Sequence, residues 1–267
     1  PVLFHDPTSE PSRTVHWFCV ETGIELELHY TWLARREQAR PEFAAINPRH
    51  QVPALRQGDF CLREATAIIR YLAEINRVEP RWLGASVRER AHVNMLLSWY
   101  HTNLRTKAAL DYMLPVLLFP GYKGDPAPPG AEVDRLRAAL GRCIAHVDAF
   151  LGDEPYLGGP APSVADLLFA AELFALDCDP HRDVYFSVAP VTSAWLERMR
   201  ELPTYEPVHR PWNAVAPMVR ERLSAVVPPV SEARWAADVC ARVIARTQSP
   251  RTQSRRILSS VPALPAP

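Results

Sequence analysis

The chain has 267 residues, of which 48% are apolar, so it is long enough for one core or two small packed domains. Thirty basic and 30 acidic residues give a formal net charge of zero, which argues against a nucleic-acid-binding protein. The 27 prolines are separated by segments rich in Trp, Leu, Val and Ile, which is typical of a folded chain rather than a disordered one.

The cysteines and histidines indicate neither a disulfide framework nor a metal site. Five cysteines lie 35 or more residues apart without a CxxC pair, and the nine histidines show no HxxxH spacing. The first residues lack the pattern of a secretory signal, and no run approaches the ~18 apolar residues of a spanning helix. We therefore expect a cytoplasmic protein without a membrane-spanning segment.

Residues 1–77 carry alternating strand and helix patterns. In chain order the predicted elements are a strand at Val2–His5, a helix from Pro11 to Gly23, a strand over Glu25–Trp32, a short helix over Pro41–Ile46, a hairpin with strands at 53–55 and 60–62, and a helix containing Ile68–Ile75. The order βαβαββα predicts an α/β domain, a mixed sheet covered by helices.

From residue 87 onward the patterns are helical, so residues 78–86 are the predicted linker and residues 87–227 an all-α domain, a helical bundle. Apolar stripes predict helices over Val87–Leu118, Val133–Val147, Ala189–Arg200 and Trp212–Val226, and a further helix begins at the capping box Ser163–Asp166. Residues 228–267 form an extension, in which Ser231–Arg246 fits one amphipathic helix and the rest is a basic, proline-containing tail.

Two separated blocks of sequence share the pattern of one enzyme family. The first contains Asn47-Pro48, Val52-Pro53-Ala54-Leu55 and Tyr71-Leu72, and the second is Phe150–Gly159 followed by the Ser163–Asp166 capping box. In this order and at this separation, over about residues 1–225, they resemble the glutathione S-transferase family. The resemblance implies a thioredoxin-like domain followed by the helical domain, a homodimer, and glutathione as co-substrate.

The segment Ser9-Glu10-Pro11-Ser12-Arg13 is most similar to the theta class of that family, which implies that Ser9 assists the thiol. A thiol with a pKa near ~8.5 is mostly protonated at neutral pH, and the thiolate is the nucleophile. A hydroxyl donor at a helix N-terminus stabilises that anion. Thr8 and Ser12 are neighbours that can substitute, and all three hydroxyls are also suited to plain helix capping.

The resemblance assigns the glutathione contacts to three short segments. Val52-Pro53 corresponds to a cis-proline step, at which the backbone of Val52 pairs with the extended peptide. Glu64-Ala65 begins the third helix, and here alanine stands where the family has a hydroxyl, a loss of about 1.5–3 kcal/mol for one charge-assisted bond. Theta-like proteins commonly carry a His-Lys pair in the loop before Pro41, where this chain has Gln38-Ala39-Arg40, and a lysine at the position of Gln51. Only Gln38 and Arg40 could replace the lost charge, and neither is a like-for-like substitute, so we expect glutathione binding to be weakened.

The predicted electrophile pocket is assigned to the helical domain. A theta-like enzyme has an arginine at the position of Arg105, where a guanidinium stabilises a leaving anion or fixes a carboxylate. Tyr112, Met113 and Trp212 are candidates for the apolar wall. The alternatives are an ion-paired Arg105 and core packing of the other three side chains.

Together these features predict a theta-like glutathione S-transferase that activates a thiol for attack on, or isomerisation of, a small hydrophobic electrophile. Ser9 and Arg105 are the candidate catalytic residues, and no metal is required. The alternative is a transferase-fold protein that no longer uses glutathione in the ordinary way. Such a protein would act as a binding or assembly module, or on another thiol or a preformed adduct.

Overall fold

The first part of the chain forms a four-stranded mixed sheet with helices packed on it, in a computed structural model that describes residues 1–123, 125–225, 227, 229 and 230. The strands are β1 (Val2–His5), β2 (Glu27–Tyr30), β3 (Ala54–Gln57) and β4 (Phe60–Arg63), in the spatial order β2-β1-β3-β4. The helices of this part are α1 (Glu10–Thr22), α2 (Pro41–Ala44) and α3 (Ala65–Ile75). The predicted order βαβαββα and the thioredoxin-like fold are confirmed.

One predicted strand is longer than the observed one, because its neighbouring strand is short. β2 covers Glu27–Tyr30 rather than Glu25–Trp32, because β1 offers only four residues, and their register runs from Val2 opposite Glu27 to His5 opposite Tyr30. Helix α1 ends as predicted at Gly23, which has the left-handed φ of 68° and donates its N–H to carbonyls of the last turn. Val15 and Phe18, on the predicted apolar face of this helix, are fully buried.

The second part of the chain is helical. Its elements are α4 (Glu79–Leu83), α5 (Val87–Trp99), α6 (Gly130–Leu151), α7 (Val164–Phe174), α8 (Arg182–Phe186), α9 (Pro190–Arg200) and α10 (Tyr205–Ser224). Helix α4 lies inside the predicted linker. Helix α10 starts before the predicted Trp212, because the interior Pro211 and Pro217 interrupt the sequence pattern without ending the helix. The predicted helix over Ser231–Arg246 and the basic tail lie outside the described residues.

Helix α5 continues past Trp99 as π-helical turns over Tyr100–Leu104 and Thr106–Lys123. This continuation extends beyond the predicted end at Leu118 and contains Pro115 and Pro120. Neither proline has an N–H to donate to a helical hydrogen bond, so the second π-helical stretch lacks a main-chain donor at two positions.

The core of the helical part is built around α7, all of whose residues are buried. The predicted capping box is present at its start, where the Asp166 carboxylate accepts from the Ser163 N–H (2.8 Å). The same carboxylate also accepts from the Leu157 N–H (2.7 Å) and from the Trp195 indole N–H (3.0 Å). One buried acid therefore ties the loop before α7 to α9.

Helix α1 belongs to both parts of the molecule. On one side it packs against the sheet and α3, and on the other side it packs against α7 and α10. The indole N–H of Trp17 donates to the Thr204 hydroxyl (2.9 Å), and the Arg13 guanidinium donates to the carbonyl of Ala171 (3.3 Å). Both α1 side chains are at most 1% exposed, so the two parts share one continuous core.

No helix in the described parts of the chain combines the length and apolarity needed to cross a bilayer.

Candidate active site

Four loops of the first part leave the sheet at the same end. β1 and β2 are parallel, so both end there, and antiparallel β3 begins there because Ala54 pairs with Phe4. β4 ends there as well, since its last residue, Arg63, is opposite Ala54. The segments that follow or precede these positions carry the predicted site residues Ser9, Gln38, Arg40, Gln51, Val52, Pro53, Glu64 and Ala65. The topology therefore gathers residues that are up to 56 positions apart in the sequence.

Ser9 is the N-cap residue of α1, and its hydroxyl makes no hydrogen bond to any part of the chain that the structure describes. The two neighbouring hydroxyls are engaged with Asp6. Thr8 donates its hydroxyl to the Asp6 carboxylate (2.6 Å), and the Ser12 hydroxyl accepts a long bond from the Asp6 N–H (3.5 Å). Of the three candidates, Ser9 alone keeps its hydroxyl for a ligand.

The Val52-Pro53 peptide bond is cis, as the resemblance implies. The side-chain amide of Asn47 donates to the Gln51 carbonyl (2.6 Å) and holds the chain just before this step. Neither the N–H nor the C=O of Val52 bonds to another described residue. The backbone of Val52 is thus available to pair with an extended ligand.

Glu64 and Ala65 stand at the start of α3, with Glu64 as the N-cap residue. Glu64 has a φ of 67°, which is uncommon for a residue with a side chain. Its exposed carboxylate pairs with Arg49 (3.2 Å). The next residue but one, Thr66, carries a hydroxyl that lies 3.3 Å from Nε2 of His101 in the continuation of α5.

The loop with Gln38 and Arg40 is held by a hydrogen bond from His50, a residue that no sequence motif marks. The ring N–H of His50, a residue with a φ of 55°, donates to the Gln38 carbonyl (2.9 Å). Arg40 is exposed and pairs with Glu37 (3.3 Å). The exposed His50 therefore adds a ring to this side of the site, and no sequence signal marks the left-handed turn that brings it there.

Arg105 reaches the start of α1, but it is ion-paired. Its Nη1 lies 3.1 Å from Oε2 of Glu10 and 3.1 Å from Oε2 of Glu172 on α7. The Tyr100 hydroxyl also donates to Glu172 (2.6 Å). Burial raises the pKa of Glu172 to about 7, against the opposing effect of Arg105. Arg105 is thus placed next to the residue that follows Ser9, with a quarter of its side chain exposed.

The three side chains predicted to form the apolar pocket are in the core instead. Tyr112, Met113 and Trp212 are at most 5% exposed. The Tyr112 hydroxyl bonds to Asp179 (2.8 Å), and the Trp212 indole N–H donates to a main-chain carbonyl (2.9 Å). Their polar groups are satisfied and their surfaces are covered, so the structure places none of them on a cleft wall. Core packing, the alternative stated for these three side chains, is what the structure shows.

Thr66 and His101 bring the second part of the molecule to the site. The Thr66–His101 contact joins the start of α3 to the continuation of α5, and one helical turn later Arg105 contacts the start of α1. One helix therefore crosses the N-termini of both α1 and α3 and forms the opposite wall of the cleft. Contacts between residues 35 and 95 positions apart leave no local pattern in the sequence.

The comparisons with known proteins agree with this geometry. Residues 3–80 match the family model for the glutathione S-transferase N-terminal domain. Mouse glutathione S-transferase theta-3 is 34% identical over 201 residues, which cover 74% of this chain and 80% of that protein. Glutathione S-transferase T1 of Arabidopsis thaliana is 34% identical over 217 residues, which cover 78% of this chain and 86% of that protein.

A solved structure extends the likeness to the whole described fold. A theta-class glutathione transferase from human, in complex with the glutathione conjugate of 1-menaphthyl sulfate, superposes with a TM-score of 0.73 at 27% identity. The match covers 92% of this chain and 98% of the human one. The sheet topology, the cis-proline step and the extent of these similarities lead to one assignment: the chain belongs to the glutathione S-transferase family, as a theta-like member.

Proposed function

We propose that this theta-like transferase binds glutathione at the common end of the sheet and that Ser9 holds its sulfur as the thiolate. The observation that carries the proposal is the Ser9 hydroxyl, which has no bond to the described chain while Thr8 and Ser12 are engaged. It lies at the N-terminus of α1, where unpaired backbone N–H groups favour negative charge. A hydrogen-bond donor in that place stabilises the thiolate that attacks the electrophile.

The peptide part of glutathione is assigned to the neighbouring loops. The free N–H and C=O of Val52, after Gln51 and before the cis Pro53, pair with the peptide backbone as an added strand would. The N-terminus of α3, at Glu64 and Ala65, receives one carboxylate. Support for the other carboxylate comes from the loop with Gln38 and Arg40.

The second substrate is proposed to be a small hydrophobic electrophile, bound between the sheet end and the continuation of α5. The thiolate sulfur attacks the electrophilic carbon, and a leaving group departs with its electron pair or an addition product forms. Isomerisation by transient addition needs the same thiolate. No step requires a metal.

Calorimetric titration with glutathione tests the proposal directly. We expect saturable binding in the millimolar range or tighter, together with a rise in melting temperature on adding the ligand. Absence of both heat and thermal shift at millimolar glutathione would contradict the proposal. That outcome would favour the alternative of a transferase fold used for binding, assembly or another thiol.

Ala65→Ser should tighten glutathione binding about tenfold, because it restores a hydroxyl donor to the ligand carboxylate at the start of α3. The measurement is the dissociation constant from the same titration. Ala67→Ser is the matched control, since it adds the same atom two residues further along the helix. Equal affinities for wild type and Ala65→Ser would remove this end of α3 from the ligand site.

We further propose a homodimer that uses the exposed apolar side chains Phe60 and Met95, which are 44% and 43% exposed. The two positions are linked through α3: Phe60 packs on Tyr71 with tilted rings whose centroids are 5.2 Å apart, and the adjacent Arg70 bonds to Asn94, the neighbour of Met95. Light scattering should give twice the 30.1 kDa of the chain, and Met95→Glu should halve it. Met218→Glu, at an equally apolar and 70% exposed position of α10, is the control. A monomeric wild type would contradict the proposal.

A cytoplasmic location completes the proposal. It is supported by the use of cysteine: Cys19, Cys61, Cys143 and Cys178 are all free thiols. Burial raises the pKa of Cys19 and of Cys143 to about 12, so both remain protonated and play no part in the thiol chemistry.

A further inference from the structure

We propose that Glu10 sets the charge preference of the electrophile site, so that this transferase favours uncharged electrophiles over negatively charged ones. The inference rests on the proposed function, and it concerns a residue that acts through another, Arg105. An arginine facing the cleft would by itself attract anionic substrates. Here a carboxylate from the residue next to Ser9 contacts it directly.

The position of Arg105 makes it the guanidinium that a bound electrophile meets. The continuation of α5 crosses the start of α3 through His101 and the start of α1 through Arg105. Arg105 is 25% exposed, whereas its partners Glu10 and Glu172 are 8% and 1% exposed. Arg105 is therefore the member of this group that reaches the cleft, and the two acids lie behind it.

The contacts of Arg105 with described residues use only one of its three guanidinium nitrogens, Nη1. All of its hydrogen bonds to described residues, 3.1–3.2 Å long, are made by Nη1, to Glu10 and to both oxygens of Glu172. The other guanidinium nitrogens stay available to donate. Arg105 can therefore still donate hydrogen bonds to a ligand. The two acids change the electrostatic potential around the guanidinium.

The charges of the cluster balance. A second cation, Arg13, interacts with both acids; it is 1% exposed and donates to the carbonyls of Pro7, Thr8 and Ala171. Above the pKa of Glu172, which burial raises to about 7, Arg13 and Arg105 are matched by Glu10 and Glu172 and the formal sum is zero. An electrophile that brings a negative charge gains little from such a group, and an uncharged one loses nothing.

Glu10 is the member of the cluster that can be neutralised with least disturbance. Glu172 is deep in α7 and also bonds to Tyr100, whereas Glu10 stands in the first turn of α1 and its only bonded side-chain partner among described residues is Arg105. Glu10→Gln keeps the length of the side chain and an oxygen that accepts from Arg105. It leaves a net positive charge beside the cleft.

The test compares two electrophiles that differ only in leaving group: 1-menaphthyl chloride, which is uncharged, and 1-menaphthyl sulfate, which is an anion. In both reactions the thiolate sulfur bonds to the benzylic carbon, and chloride or sulfate departs with the electron pair. We expect Glu10→Gln to raise the sulfate-to-chloride ratio of kcat/KM about fivefold over wild type. A loss of packing alone would lower both values and leave the ratio unchanged.

Two variants control the comparison. Glu10→Asp keeps the charge and should keep the wild-type ratio, and Glu74→Gln makes the same chemical change at an exposed position of α3. Glu10→Ala, checked by thermal melting, replaces Glu10→Gln if the amide does not fold, with the same expected direction. A folded, active Glu10→Gln or Glu10→Ala variant with the wild-type ratio would overturn the proposal.

A binding measurement without glutathione separates this proposal from the proposed function. Titration of the unliganded proteins with 1-menaphthyl sulfate, followed by tryptophan fluorescence, should show about fivefold tighter binding to Glu10→Gln than to wild type. If wild type turns over neither electrophile, the proposed function fails, and the titration still decides the role of Glu10. Equal affinities would overturn that role even in an active transferase.

Discussion

Replacing Ser9 with alanine should lower glutathione-dependent turnover about tenfold to a hundredfold and leave the affinity for glutathione close to that of wild type. One hydrogen bond to a charged group contributes about 1.5–3 kcal/mol, and here it acts on the thiolate. Affinity depends chiefly on the peptide contacts at Val52 and the α3 terminus, which the change does not touch. Stability should also be retained, because the Ser9 hydroxyl has no partner in the described chain.

The pH dependence of turnover distinguishes this role from a general defect. If Ser9 lowers the pKa of the bound thiol, Ser9→Ala should need higher pH to reach its maximum rate, nearer the ~8.5 of a free thiol. Ser12→Ala is the matched control, because that hydroxyl is already engaged with Asp6. An alanine variant at position 9 with wild-type rate and pH profile would exclude Ser9 from the mechanism.

Replacing Asp166 with alanine should destabilise the fold by about 3 kcal/mol or more. The buried carboxylate accepts from main-chain N–H groups of Leu157, Gly158 and Ser163, and also from the Ser163 hydroxyl and the Trp195 indole. Alanine leaves these buried donors without an acceptor, which is more costly than losing an exposed cap. Urea unfolding of wild type and variant gives the difference directly.

Ser163→Ala is the reference variant against which the loss of stability in Asp166→Ala is compared. It removes the cap hydroxyl but leaves the carboxylate and its main-chain donors, so we expect a loss of about 1 kcal/mol. If Asp166→Ala cost no more than Ser163→Ala, the network around the acid would contribute little, and the ordering of the loop before α7 would need another cause.

The parts of the fold that sequence predicted well are those fixed by local chemistry. The stripe through Val15 and Phe18, the stop at Gly23 and the Ser163–Asp166 box are each set by residues within a few positions of one another. The cis step at Val52-Pro53 could be predicted only through the family resemblance, because an isolated X–Pro bond is almost always trans.

The parts that could not be predicted depend on long-range contacts. Arg105 meets Glu10 and Glu172 across 95 and 67 positions of the sequence, and no periodicity reports such a pairing. An apolar stripe on a helix also does not reveal whether it faces a ligand pocket or the protein core. For Tyr112 and Trp212 the sequence allowed both a pocket wall and the core, and tertiary packing buries both in the core.

The position of α1 has a mechanical consequence. Closing the cleft by rotating one domain against the other would break the Trp17–Thr204 and Arg13–Ala171 bonds, whose α1 side chains are buried in the shared core. The two bonds and the shared core therefore oppose hinge motion between the described sheet and the described helices. We therefore expect the described walls beside Ser9 to keep their spacing when a ligand binds, so that the width between them limits which electrophiles fit.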